Sequence, residues 1–374
     1  MIKGKFNCIV DSAHGSSAKG AASTRLVDIY NVPNVSSCNF PNAGHTAVQG
    51  DKKFVSKSLP TPAFLNMIGR AKPTLWIGPQ SGFFIDQFNK ELALTGYNAS
   101  QVVMHERAVI VTDRHVAMES PGGLQSTEYI SSTMSGSGAS YAEKAMRRPE
   151  VMTLKQAGLE PKTPMDFMKN VRGELEFGHT FMHEVSQGFA LSVNHGTHYP
   201  TCTFRDCTSQ QAWADFCLTP DLIGDVYLNV RSFPIRVGSN FRDGQQVGYS
   251  GDFCSDQQET TWEKIAADAE MPPDEAAGLA ERERTTVTKK IRRVATQSWQ
   301  LLADSAQATG ATKLILNFPQ YIHWSAYQKR GGRKVFSDLH PKVREYMERM
   351  ENVTNLPVVM IGTSAEHEDY IWLG

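Results

Sequence analysis

The chain has 374 residues, 40% of them hydrophobic and 21% charged, the composition of an ordinary globular protein. Its 38 basic and 39 acidic residues leave a net charge of −1, without the basic excess of a nucleic-acid binder, so a phosphate-bearing partner is expected to be small and held locally, not a nucleic acid polymer. No apolar run approaches the ~18 residues of a membrane span, and the opening Met1–Phe6 lacks the apolar stretch of a signal peptide, so neither membrane insertion nor secretion is expected.

The first predicted element is a strand, Phe6-Asn7-Cys8-Ile9-Val10. A loop of small residues follows from Asp11 to Gly20, then a helical pattern from Ala21 to Tyr30. Strand, small-residue loop and helix is the layout with which an α/β protein turns backbone N–H groups and a helix N-terminus toward an anion. Further strands are predicted at Leu75-Trp76-Ile77, Val109-Ile110-Val111, Val226-Tyr227-Leu228, Lys313 to Leu316 and Val358 to Ile361. Helical patterns near 141–147, 166–174, 259–270, 289–308 and 340–351 lie between many of them. The alternation predicts an α/β fold with a mostly parallel central sheet flanked by helices. The polar stretch from Met271 to Thr288 reads as an exposed helix followed by a mobile loop. No break in composition marks a linker, so residues 1–374 are expected to form a single domain with a helical insertion at about 95–180. The six cysteines are scattered and form no C-x-x-C pair, which fits thiols in a reducing cytoplasm better than a metal cluster.

Four segments carry chemistry. Asp11 to Gly20 is a tight turn or a phosphate loop; it lacks full Walker spacing, yet Lys19 between small residues suits a transferring phosphoryl group. In Asn42-Ala43-Gly44-His45-Thr46, His45 is either a structural histidine or a proton donor to developing negative charge, with a glycine beside it that permits close approach. Ser131 to Arg148 is a hydroxyl- and glycine-rich loop running into a basic helix, a surface loop or a second anion site. Glu184 to Gly188 with Asn194 to Thr203 supplies an amide and hydroxyls able to read a base edge and a phosphate.

In this order, the segments resemble the adenylosuccinate synthetase family, whose motifs include N-A-G-H-T, H-G-T-Y-P and R-V-G. Here Asn42 to Thr46, the Tyr141…Lys144…Arg147 spacing, Gln187-Gly188, His195-Gly196-Thr197 and Arg236-Val237-Gly238 match across nearly the whole chain. The resemblance implies a P-loop-like homodimer that uses Mg²⁺, a nucleoside triphosphate and L-aspartate. It implies a purine 6-oxygen that attacks the γ-phosphate and an aspartate amine that then displaces phosphate. It assigns His45 as the acid and Lys19 as the holder of the transferred group. Ser17, Ala18, Gly20 and Thr46 would join Lys19 around the triphosphate, and Gly44 would help bind Mg²⁺. Asn42, Ser132, Thr133, Gln187 and Thr203 would hold the purine monophosphate, with Arg147 reaching it from the partner subunit.

Three departures qualify the match. The family's catalytic Asp, also a metal ligand, falls on Ser16, and a hydroxyl is a poor general base. The smaller Ser16 leaves room for, and can accept from, a 2-amino group, which a guanine nucleotide has and a hypoxanthine nucleotide lacks. This change resembles the phage-encoded branch of the family, which acts on dGMP. The guanine-reading Asp of the donor site falls on Gln320, whose mixed donor and acceptor suits adenine, so ATP or dATP is expected, with Gly362 in the tail packing near the same base. The aspartate loop has become Thr285 to Arg293, where Arg292 is the expected carboxylate clamp and Thr288 and Lys290 are secondary contacts. Rival readings are an ordinary synthetase acting on IMP and a non-catalytic nucleotide-binding dimer.

Overall fold

The structure is a computed structural model that describes residues 1–285 and 289–374. Nine strands form its central sheet: β1 (Phe6–Asp11), β2 (Asn34–Ser37), β3 (Thr74–Ile77), β4 (Val102–Met104), β5 (Phe181–Glu184), β6 (Ile223–Arg231), β7 (Lys313–Asn317), β8 (Val358–Gly362) and β9 (Tyr370–Trp372). Their spatial order is β9-β8-β7-β6-β1-β5-β2-β3-β4. Each paired neighbour is parallel except β9, which runs antiparallel to β8. This is the expected mostly parallel sheet.

Parallel strands covered by helices on both faces bury both sets of side chains, so they read as near-continuous apolar runs. Alternate residues then feed two cores. Phe6, Cys8 and Val10 of β1 join Leu228 and Leu316 in one. Ile9, Tyr227 and Ile315 join Leu26 and Leu75 in the other. The first helix (Lys19–Tyr30) lies against the second core through Leu26 and Val27.

Several expectations need correction. Helix does not run through 289–308: Arg293–Ala295 is a strand paired with Ile235–Arg236 and Glu259–Thr260, and the helix starts at Trp299, where the Ser298 side chain accepts from the Leu301 N–H. The 95–180 segment is not a purely helical insertion. It contains β4, the edge of the main sheet, and Val109–Ile110, which pairs with Gly82–Phe83 in a separate small sheet. The stretch after Met271 folds into two short helices, Pro273–Ala277 and Leu279–Arg282, with Leu279 and Glu283 buried rather than exposed. The mobile loop expected further on falls partly on 286–288, outside the described residues. Among the described residues no helix is long and apolar enough to cross a membrane.

His183 of β5 is buried between Phe6 and Phe216, and its Nδ1 meets the Ser36 hydroxyl at 3.0 Å. Burial first, then the nearby Arg205 and Lys19 charges, pushes its pKa down to about 3. The unfolded chain therefore takes up a proton below pH ~6.5 that the folded chain refuses, so stability falls as pH drops from there toward 3, by about 1.4 kcal/mol per pH unit for this residue. Urea midpoints measured from pH 7 to pH 5 should decline in the wild type and decline less in His183→Gln.

Candidate active site

The loops that follow β1, β5, β6 and β7 converge at the carboxyl ends of the strands, where the order of connection reverses about β1, the usual ligand crevice of an open α/β sheet. After β1 the backbone turns sharply: Gly15, Ser16 and Ala18 have φ of 86°, 53° and 63°. Asp11 shapes this turn by accepting from the N–H groups of Ala13 (2.7 Å) and Gly15 (3.2 Å). The helix that follows has no side-chain cap and no acidic residue in its first turn, which leaves its N–H groups for an anion. Gly20 is required by packing, since a Cβ there would lie 2.7 Å from the His45 Cβ and 2.8 Å from the Thr61 hydroxyl.

The floor of the loop is a buried relay of amides. The Asn317 side-chain amide donates to Asn229 Oδ1 (2.8 Å), and the Asn229 side-chain amide donates to the backbone carbonyl (2.7 Å) and hydroxyl (2.8 Å) of Ser17. Gly362 is a glycine because a Cβ would meet Asn317 Oδ1 at 2.2 Å. Gly362 thus supports the loop after β1 through Asn317. Arg231 donates to the Ser16 carbonyl at 2.8 Å and stacks on Phe318 at 4.0 Å. Its other arm reaches Glu283 at 2.7 Å, and Glu283 also accepts from Arg292 (2.9 Å) and the Tyr321 hydroxyl (2.6 Å). Burial would raise the Glu283 carboxyl; the two guanidiniums and the hydroxyl outweigh it and hold the carboxyl below its ordinary range.

Lys19 is buried and donates to the Gln187 carbonyl. Burial lowers its pKa, against the opposing charges of Asp11, Cys207 and Glu184. His45 Nδ1 meets Glu184 Oε2 at 3.1 Å; the same oxygen accepts the Thr61 hydroxyl (2.8 Å) and N–H (3.3 Å). With its proton held on Nδ1 by the carboxylate, the ring keeps Nε2 as an acceptor when neutral and a second donor when charged.

A cavity of ≈ 280 Å³ opens beside this loop, lined by Asn42, Ser132, Thr133, Gln187 and Thr203 together. All five were expected to hold one ligand. Asn42 and Thr203 are already linked (3.3 Å), as are Thr133 and Ser135 (3.0 Å). Ser16 is exposed on the loop and does not line this cavity, whereas His14 does. Arg147 is exposed, outside the same cavity. Gly44 and Thr46 are half-buried beside His45. Gln320 is buried on a short turn after β7. Arg292 is tied to Glu283, and Lys290 reaches Asn240. Thr288 lies outside the described residues. Sequence reasoning gave no role to Asp11, His14, Asn229, Arg231, Glu283 or Asn317. Four of them, Asp11, Asn229, Arg231 and Asn317, share a signal: a polar residue at or near the end of an apolar strand.

No family model matches the chain. It is 31% identical over 330 residues to the N6-succino-2-amino-2'-deoxyadenylate synthase of Cyanophage S-2L, covering 84% of this chain and 82% of that one. It is 29% identical over 335 residues to the adenylosuccinate synthetase of Pyrococcus horikoshii, covering 88% and 87%. The solved structure of the Cyanophage S-2L succinoaminodeoxyadenylate synthetase, bound to dGMP and to dATP as an energy donor, superposes with a TM-score of 0.77 at 25% identity over 98% of this chain and 95% of the other. Fully ligated adenylosuccinate synthetase from Plasmodium falciparum shares the fold, with a TM-score of 0.77 at 16% identity over 98% and 99% of the two chains.

Replacing Glu283 by alanine would strand the buried Arg231 guanidinium and the partly buried one of Arg292 and should cost roughly 3 kcal/mol or more, against about 1 kcal/mol for Tyr321→Phe. Urea unfolding of both variants checks this ordering. Phage N6-succino-2-amino-2'-deoxyadenylate synthases and adenylosuccinate synthetases share this fold, and the chain, 31% identical to one of the former over most of its length, belongs to their family.

Proposed function

We propose that this chain is a ligase that joins L-aspartate to C6 of dGMP. ATP or dATP drives the reaction, which gives N6-succino-2-amino-2'-deoxyadenylate, the nucleoside diphosphate and phosphate. The observation that carries this reading is the 31% identity to the cyanophage synthase, in a chain whose residue 16 is a serine. The purine monophosphate occupies the cavity of Asn42, Ser132, Thr133, Gln187 and Thr203. Its 6-oxygen attacks the terminal phosphoryl group, and the amine of aspartate then displaces phosphate from C6.

Positioning and charge neutralisation dominate phosphoryl transfer. Lys19 supplies the cation that a transferring phosphoryl group needs; its buried place at the end of the loop after β1, donating to the Gln187 carbonyl, supports this role. His45, oriented by Glu184, offers Nε2–H to developing charge. Ser17, Ala18, Gly20 and Thr46 surround the triphosphate, and Gln320 and Gly362 meet its adenine. The aspartate carboxylates are assigned to Arg292 and Lys290, and to Thr288, which lies outside the described residues; Arg292 exchanges Glu283 for them. Mg²⁺ would be held by the Ser16 hydroxyl and the Gly44 carbonyl, both hard oxygens of the kind this ion takes. When bound, the ion neutralises phosphate charge. Arg147, exposed and outside its own cavity, fits a role across a homodimer interface. The reaction is assigned to the cytoplasm, that of the host if the chain is phage-encoded.

Phosphate release with aspartate, ATP and Mg²⁺ should be fastest with dGMP among dGMP, GMP and IMP; preference for IMP would point to an ordinary adenylosuccinate synthetase. Ser16→Asp should lower kcat/KM for dGMP by about tenfold or more.

A further inference from the structure

Among the residues lining the nucleotide cavity, Thr127 and Arg236 each leave one buried polar atom unpaired, and His14 leaves two, both of its ring nitrogens. His14 is 6% exposed and lies two residues before Ser16 on the loop after β1. Phe253 meets its ring edge-on, with centroids 6.2 Å apart, and offers no hydrogen bond. Hiding a polar side chain without a partner forfeits its hydrogen bonds to water, so buried polar groups that stay unpaired call for a reason. An imidazole ring carries two nitrogens able to enter hydrogen bonds, and here both are without a protein partner. Such a pair suits a base edge or a sugar hydroxyl of a ligand in the cavity it lines.

We propose that His14 is a specificity-determining contact to the purine nucleotide, whose base or sugar supplies the hydrogen bonds that the protein withholds from this ring. The proposal rests on the reading of the cavity as the dGMP site.

The test is calorimetric titration of dGMP and dIMP into the full-length wild type, His14→Phe and His14→Gln, with thermal melts to verify folding and steady-state kinetics alongside. The phenyl ring keeps the shape and removes the nitrogens; the amide restores a donor and an acceptor. Expected for His14→Phe is about tenfold weaker dGMP binding, a matching rise in KM, kcat within about twofold and unchanged KM for ATP, with His14→Gln recovering part of the loss. A loss confined to dGMP places the contact at the 2-amino group, and a loss shared with dIMP places it elsewhere on the base or sugar; both support the proposal. Folded His14→Phe binding dGMP as tightly as the wild type overturns it. Wild type that binds no dGMP overturns the site reading itself, and the proposal with it.

Discussion

The relay Gly362–Asn317–Asn229–Ser17 is the constraint on which the rest of the site depends. It starts at β8, crosses β7 and β6, and ends on the loop after β1. Each amide is buried, so each hydrogen bond is expensive to break and none can be traded for water. Parallel register sets the relay: Asn229 stands beside Asp11, and Asn317 stands beside both Arg231 and Gly362. A loop with three residues at positive φ is strained, and it keeps that shape because the strand ends beneath it over-determine it.

Arg231 extends the same logic sideways. One guanidinium holds the Ser16 carbonyl and, through Glu283, the segment that carries Arg292. The loop after β1 and the segment from Glu283 to Arg292 are thereby mechanically joined. On the far side, Glu184 at the end of β5 receives His45 and Thr61 together, so the histidine's orientation comes from the sheet and not from its own loop. Rigid strands aim the groups, and the loops supply what touches the ligands.

Much of the sheet was legible because parallel strands buried on both faces are apolar runs, as Val226-Tyr227-Leu228 and Val358 to Ile361 are. β2 was not, because its Asn34, Ser36 and Ser37 are buried polar residues; Asn34 accepts from Trp76 and Ser36 meets His183. The strand at Arg293–Ala295 hid inside a helical pattern, since three residues are too few to show a period of two. The cavity residues were found through short motifs with fixed order. Glu283 was missed because a carboxylate in an acidic and basic run looks solvated, and only the fold shows two arginines and a tyrosine closing on it. His14 was passed over because nothing local distinguishes a ligand-facing histidine from one satisfied within the core.

In the proposed reading, a serine where the resemblance expects a carboxylate changes what the loop after β1 can recognise: a carboxylate only accepts hydrogen bonds and is bulkier, whereas the small hydroxyl leaves room for, and can accept from, the exocyclic amine of guanine. The most direct test is a crystal structure with dGMP and a non-hydrolysable ATP analogue bound together. The account predicts guanine in the Asn42–Thr133–Gln187 cavity with its 2-amino group turned toward the loop after β1, which brings His14 to the cavity wall and carries Ser16 beside it. Guanine seated with that group turned away from the loop after β1 would contradict it.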